Sequence, residues 1–264
     1  MMKTIRSIAA LRAALLGAVL LTACDKNAVQ IEDITSPVTA SRVKFFNFGI
    51  NAPSVNFYAN DAKVTAISST TGVESTNGVA YGSVGLGGFY SELPGGQYSF
   101  TGRIAATVDK DLVVATVPGT LENGKAYSVY LSGFYNATAK SVEGFIIEDA
   151  YPAAFDYAKA YVRFVNASPN SQPMALVISN TVTLTDSPIG AAVPYKSGTA
   201  FVAVDGGVYN LSGRIGTSTT TTVPRTNVSF LAGRVYTITL RGDMTISATG
   251  TATNRPFLDN TLNR

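Results

Sequence analysis

From residue 41 onward, apolar residues recur at every second position over short stretches that end in turn-forming residues. In residues 98–104, Tyr98, Phe100 and Ile104 alternate with Ser99, Thr101 and Arg103. Residues 209–215 repeat the pattern, with Tyr209, Leu211 and Ile215 against Asn210, Ser212 and Arg214. A period of two puts one set of side chains in a core and the other in water, which predicts half-buried β-strands. The stretch after Gly124 predicts another, with Tyr127, Val129 and Leu131 inward and Ser128, Tyr130 and Ser132 outward. Turn signals separate the strands: Asn60-Asp61, Asn77-Gly78, Pro94-Gly95-Gly96, Asn123-Gly124 and Asp205-Gly206-Gly207. No amphipathic helix is expected past the N-terminal segment, although residues 151–160 could hold one helical turn.

The pattern is duplicated. Val43-Lys44-Phe45-Phe46-Asn47 parallels Val162-Arg163-Phe164-Val165-Asn166, and residues 94–104 parallel residues 205–215. Gly124-Lys125-Ala126-Tyr127-Ser128-Val129 parallels Gly233-Arg234-Val235-Tyr236-Thr237-Ile238. The order is the same in both halves, and the second copy has shorter loops. Internal repeats of domain size change the whole reading of a chain. Seven to nine short strands per copy predict all-β architecture: two tandem immunoglobulin-like or transthyretin-like antiparallel β-sandwich domains. The expected division is a signal peptide at 1–23, a flexible tether at 24–40, domain 1 at 41–150, a linker at 151–159 and domain 2 at 160–264.

The N-terminus carries Lys3, Arg6 and Arg12 ahead of an apolar run at 13–21. A basic start followed by a short apolar region marks a secretory signal peptide. The run is short for a membrane span, which takes about 20 apolar residues. Leu21-Thr22-Ala23-Cys24 closes it and resembles the lipobox of bacterial lipoproteins. In that family the cysteine is acylated and becomes the first residue of the mature chain. Cys24 is the sole cysteine, so no internal disulfide can form. Cys24 is the expected lipidation site, with fatty-acyl groups such as palmitate as its modification.

Composition supports a β-rich exported protein and removes several chemistries. Charged residues make up 14% of the chain. The net charge of +3 comes from the three bases of the N-terminal segment; past it, 17 basic residues face 17 acidic ones. A neutral chain gives no reason to expect a nucleic-acid partner. There is no histidine, the commonest general base and metal ligand, and no tryptophan. Charge is divided unevenly between the copies. Residues 24–149 hold 8 bases and 12 acids, and residues 150–264 hold 9 bases and 5 acids. Either duplication let the copies drift, or the two halves attract each other.

Val162-Arg163-Phe164-Val165-Asn166-Ala167-Ser168-Pro169-Asn170 resembles the opening of a bacterial domain family of unknown function, Val-Arg-x-x-His-Ala-Ser-Pro-Asp-Ala-Pro. Tyr81-Gly82-Ser83, the segment from Pro94 to Tyr98, and Gly124-Lys125-Ala126-Tyr127-Ser128-Val129 are similar to later parts of it. The resemblance covers residues 41–148 and 160–248. It implies tandem β-sandwich copies in an exported or lipid-anchored protein at the cell surface, with no established activity. The family's usual histidine is Asn47 in one copy and Asn166 in the other, so no imidazole role carries over.

Candidate chemistry is sparse. Ser41-Arg42-Val43-Lys44 matches a serine–lysine nucleophile pattern, which needs a helix to bring both groups to one face. On a strand, Ser41 and Lys44 point to opposite faces. Asp109 and Asp111 could offer carboxylates to calcium, which takes six to eight oxygens, but a solvated loop fits them better. Glu148-Asp149 reads as a strand-end charge pair. Gly85-Leu86-Gly87-Gly88 lacks the lysine and helix of a phosphate loop. The recurring tyrosines, Tyr81 and Tyr195, Tyr98 and Tyr209, Tyr127 and Tyr236, read as core pillars.

The expected protein is a lipid-anchored cell-envelope protein, in the outer rather than the inner membrane. Its modules bind or scaffold an extracellular glycan or protein without catalysis and without a cofactor. Catalytic and metal residues are none, and the ligand-binding residues are unknown. The rivals are a carboxylate-dependent envelope hydrolase and a structural subunit of a surface assembly.

Overall fold

Among the described residues, nine strands in each half repeat one another in order and pairing. The computed structural model describes residues 40–65 and 77–264. The signal-peptide and lipobox expectations, Cys24 included, fall outside the described residues. The first copy contains β1 (Ser41–Ile50), β2 (Val55–Ala59), β3 (Ala62–Lys63), β4 (Ser83–Val84), β5 (Ser91–Leu93), β6 (Gly96–Ile104), β7 (Val113–Leu121), β8 (Ala126–Phe134) and β9 (Gly144–Glu148). The second contains β10 (Lys159–Asn166), β11 (Met174–Asn180), β12 (Asp186–Pro188), β13 (Ser197–Gly198), β14 (Val202–Asp205), β15 (Gly207–Ile215), β16 (Val223–Phe230), β17 (Val235–Arg241) and β18 (Phe257–Leu262). Helical geometry among the described residues is limited to a 3-10 turn at Gly85–Gly88. Residues 151–158, which could have held a helical turn, run as bends and turns. Pro152 cannot donate a helical hydrogen bond, and the neighbouring aromatics dock on the second copy: Tyr151 stacks on Phe201 and Phe155 on Tyr161.

Each copy is a pair of sheets. One sheet has the order β4-β1-β8-β9, with β5 also on β1; its repeat has β13-β10-β17-β18, with β14 on β10. The other sheets are β3-β2-β6-β7 and β12-β11-β15-β16. The sheets are not purely antiparallel as expected. β1 runs parallel to β8, from Arg42 opposite Ala126 to Ile50 opposite Phe134, and β10 runs parallel to β17. A parallel pair requires a long connection, and here most of each domain lies between the two strands.

The inward alternation builds two separate cores. Val43 and Phe45 of one sheet meet Phe57 and Phe100 of the other, with Phe45 5.1 Å from Phe57 and 5.8 Å from Phe100 between ring centres. Phe164 and Ile238 meet Leu211 and Phe230 in the second copy. The chain is all-β, with two tandem two-sheet domains. The β1-containing and β10-containing sheets then face each other, giving four stacked layers. A third apolar cluster fills that junction: Phe46, Phe48, Tyr130 and Phe145 from the first copy, Val165 and Ala167 from the second. The described residues accordingly fall in one compact unit.

The junction corrects one sequence expectation. Ser128, Tyr130 and Ser132 are the outward face of β8, yet all three are fully buried. The second domain covers the face that alternation alone assigns to water.

Candidate functional site

The junction gathers the chain's buried charges. β1 and β10 each alternate an inward core residue with a residue aimed at the other copy. On the second face lie Lys44, Phe46 and Phe48 of β1, and Arg163 and Val165 of β10. Phe46, Tyr130 and Phe145 stack across β1, β8 and β9 at 4.5 Å and 4.8 Å. Beside this stack, Arg163 and Asp149 form an ion pair whose residues are 1% and 2% exposed. Arg163 also donates Nε to Thr237 Oγ1 at 2.9 Å and Nη1 to the Glu148 carbonyl at 2.9 Å. Asp149 accepts from Ser128 Oγ at 2.9 Å and 3.0 Å, and from the Tyr90 hydroxyl at 2.6 Å. The Tyr90 and Tyr151 hydroxyls are 2.6 Å apart, and Asn263 donates to Tyr90 at 2.8 Å.

Several of these groups are held away from their ordinary ionisation. Burial alone would lower the Arg163 pKa, and the adjoining Asp149 carboxylate together with Tyr130 and Tyr90 raises it above its ordinary value. Burial, reinforced by Asp149, holds Tyr90 far above the usual phenol range. Burial pushes Tyr130 up to about 12. Lys44, 1% exposed, is lowered to about 8 by burial, with Asp149 opposing and Arg163 assisting the shift. Its ammonium donates to the Leu262 carbonyl and lies 4.4 Å from the centre of the Tyr90 ring.

The contacts are reciprocal. Equal register makes Glu148 of β9 the counterpart of Leu262 of β18, because they pair with Tyr127 and Tyr236. Lys44 of the first copy bonds the Leu262 carbonyl, and its counterpart Arg163 bonds the Glu148 carbonyl. Lys44 stacks on Tyr90, and Arg163 lies 4.9 Å over the ring of Phe201. Tyr81 sits under the Arg241 guanidinium at 4.9 Å, and Tyr195 reaches back toward Phe145. Such i-to-j and j-to-i contacts define a self-complementary, isologous interface. Among the described residues, two ion pairs cross it, Asp149–Arg163 and Glu143–Lys196, the latter at 2.6 Å. In both, the acid comes from the first copy and the base from the second, in the sense of the charge imbalance.

The same junction opens into a cleft of about 460 Å³ between the 3-10 turn and the end of β18. Lys44, Gly88, Phe89 and Tyr90 line it from the first copy, and Arg234 and Leu262 from the second.

The other sequence candidates are dispersed. Ser41 donates to the Leu93 carbonyl at 2.6 Å, on the face of β1 opposite Lys44. Asp109 pairs with Lys140 at 2.6 Å, and Asp111 accepts from the Tyr58 hydroxyl at 3.2 Å. Asn47 and Asn166, at the family's histidine position, are both fully buried. Their amides donate to the Val79 and Val193 carbonyls at 2.9 Å and 3.2 Å, so each ties its first strand to an equivalent loop. An amide N–H supplies that bond without an imidazole. Tyr98 and Tyr209 donate back to the carbonyls of Pro94 and Asp205, and Tyr127 and Tyr236 accept from Glu122 N and Leu231 N. Tyr81 and Tyr195 belong to the junction instead. Asp149 was missed by sequence reasoning, which read it as half of a strand-end charge pair. The available signal was β1 itself: Val43-Lys44-Phe45-Phe46-Asn47-Phe48 is apolar on both faces, as in strands covered on both sides.

A family model described as a domain of unknown function, DUF4397, matches residues 41–177 and 160–262. No curated protein matches the chain. Among solved structures, the chain is similar to the Bacillus anthracis TIE protein at 12% identity and a TM-score of 0.22, over 78% of this chain and 34% of that one. It is similar also to a candidate cell adhesion protein from Bacteroides ovatus, at 8% identity and a TM-score of 0.23, over 85% and 96% of the two chains. The chain thus spans about a third of the TIE protein. Likenesses this faint carry no argument about function.

Proposed function

From the premise that the chain belongs to the DUF4397 family, with two copies in tandem, we propose that it is a non-catalytic binding or scaffolding module of the cell envelope. In this reading residues 1–23 are a lipoprotein signal peptide and Cys24 carries the lipid. Residues 24–40 are the tether, and two immunoglobulin-like or transthyretin-like domains follow at 41–150 and 160–264, joined by 151–159. The anchor holds the protein in the outer membrane, and its partners are an extracellular glycan or protein.

The observation that carries the non-catalytic reading is the engagement of Asp149. The most deeply buried carboxylate of the junction is closed in by Arg163, Ser128 and Tyr90, with no face left for a substrate. A hydrolase would need a second carboxylate across an open cleft, and the side chains lining the junction cleft include no Asp or Glu. A rigid two-domain body is what a spacer or display module needs.

Mass spectrometry of the protein from membranes tests the anchoring half. The expected N-terminal residue is Cys24 bearing acyl chains, and Cys24→Ala should release the protein from the membrane fraction. An unmodified Cys24 in a membrane-held protein would overturn it. A glycan array probed with residues 38–264 tests the binding half.

A further inference from the structure

The two halves of the junction differ in one systematic way. The pairings Tyr127–Glu148 and Tyr236–Leu262 make Leu262 the counterpart of Glu148. Asp149 N and Asn263 N bond the carbonyls of Ala126 and Val235, which makes Asn263 the counterpart of Asp149. Glu122 N and Leu231 N donate to the hydroxyls of Tyr127 and Tyr236, which makes Leu231 the counterpart of Glu122. Three carboxylates of the first copy are therefore a leucine, an asparagine and a leucine in the second.

Those three carboxylates have cations to serve in the first copy's half. Arg163 pairs with Asp149, and Lys125 pairs with Glu122 at 3.0 Å and Glu148 at 3.3 Å. The matching cations in the other half are Lys44 and Arg234, and both line the cleft. Lys44 has the Leu262 carbonyl and the Tyr90 ring where Arg163 has, in addition, a carboxylate. An ammonium has three donors, so a buried one with a single carbonyl acceptor is under-satisfied. The leucines that replace the acids are surface-exposed, Leu231 at 63% and Leu262 at 48%, and Phe89 on the facing wall is 77% exposed. Lys44 and Arg234, neither in an ion pair among the described residues, thus share one cleft with the exposed Phe89 and Leu262 side chains. Its volume falls within the range of small-ligand sites, about 300–1,000 Å³.

We propose that this cleft is a ligand site for a small amphiphilic anion, with its carboxylate or phosphate group on Lys44 and Arg234 and its apolar body against Phe89 and Leu262. The ligand anion takes the place of the carboxylates that the first copy supplies from its own chain. The site is separate from the anchoring reading, since nothing in it depends on Cys24.

The test titrates ¹⁵N-labelled residues 38–264, the compact unit that holds all three apolar clusters, with sodium octanoate, 1-octanol and inorganic phosphate. Octanoate is expected to shift the amides of Lys44, Tyr90 and Leu262 and to bind about tenfold or more tighter than either control, because it alone uses both halves of the cleft. Leu262→Glu returns the first copy's carboxylate at an exposed position and should weaken octanoate by about tenfold, with the remaining spectrum unchanged. No shift in the cleft, equal binding of 1-octanol or of phosphate, or octanoate affinity unaltered by Leu262→Glu would each overturn the proposal. None of these outcomes bears on acylation at Cys24, which the membrane fractionation reads independently.

Discussion

At the scale of the residue, the junction depends on whether buried charges keep their partners. Arg163 and Asp149 are both removed from water, and breaking such a pair leaves one unpaired buried charge at a cost of about 3–5 kcal/mol. Asp149→Ala should lose about that much stability in urea unfolding. Adding Arg163→Met should recover part of it, because the double variant strands no charge. Lys44 gives a pH signature. Its folded pKa, about 8, lies below the ordinary 10.5, so between these values the unfolded chain binds more protons and stability rises with pH. Above about pH 10 the sign reverses. Tyr130 and Tyr195, each raised to about 12 by burial, resist the ionisation that the unfolded chain undergoes near 10. Unfolding measured from pH 7.5 to 11 should therefore show stability climbing past pH 8 and falling past pH 10, and Lys44→Met should remove the climb. Little of this was legible in the sequence. Glu148-Asp149 read as a strand-end charge pair and Lys44 as part of a serine–lysine match that a strand cannot use, because a charge is buried only through the partner that tertiary structure brings to it.

At the scale of the element, alternation identified the strands and their core faces, and the repeat identified equivalent strands. Val43, Phe45, Tyr209 and Leu211 are in the cores where a period of two puts them. Alternation could not say what covers the second face of β1, β8 and β10, since a strand buried on one side differs from one buried on both only by its outward residues. Tyr130 and Phe46 were that signal. The tyrosine pins differ between copies: Tyr209 is 3% exposed, while Tyr98 is half-buried. Tyr209→Ala should cost about 3–5 kcal/mol, the range for large aromatic truncation, and Tyr98→Ala clearly less. Tyr209→Phe, which loses only the bond to the Asp205 carbonyl, should cost about 1 kcal/mol. Close approach of elements is testable at Gly198. A Cβ there would stand 2.9 Å from Ile147 Cδ1 of the other copy and 3.0 Å from the Phe164 carbonyl oxygen. Gly198→Ala should lower the thermal midpoint, although the position is in a two-residue edge strand.

At the scale of the whole molecule, duplication produced two sandwiches that associate through the same face, and the sequence showed the duplication but not the association. Beside the apolar second face of β1 and β8, the charge imbalance was a trace of it, expressed in the Asp149–Arg163 and Glu143–Lys196 pairs. Because the first pair is buried and the neighbouring junction cluster is apolar, salt has little to screen there. The scattering radius of residues 38–264 should therefore be the same at low and high salt. The central claim is that the two copies are one body, and urea unfolding followed by the amide signals of both copies tests it most directly. One common midpoint is predicted, with Asp149→Ala lowering it equally for β6 of the first copy and β15 of the second. Two separate midpoints, with Asp149→Ala moving only the first copy, would contradict it.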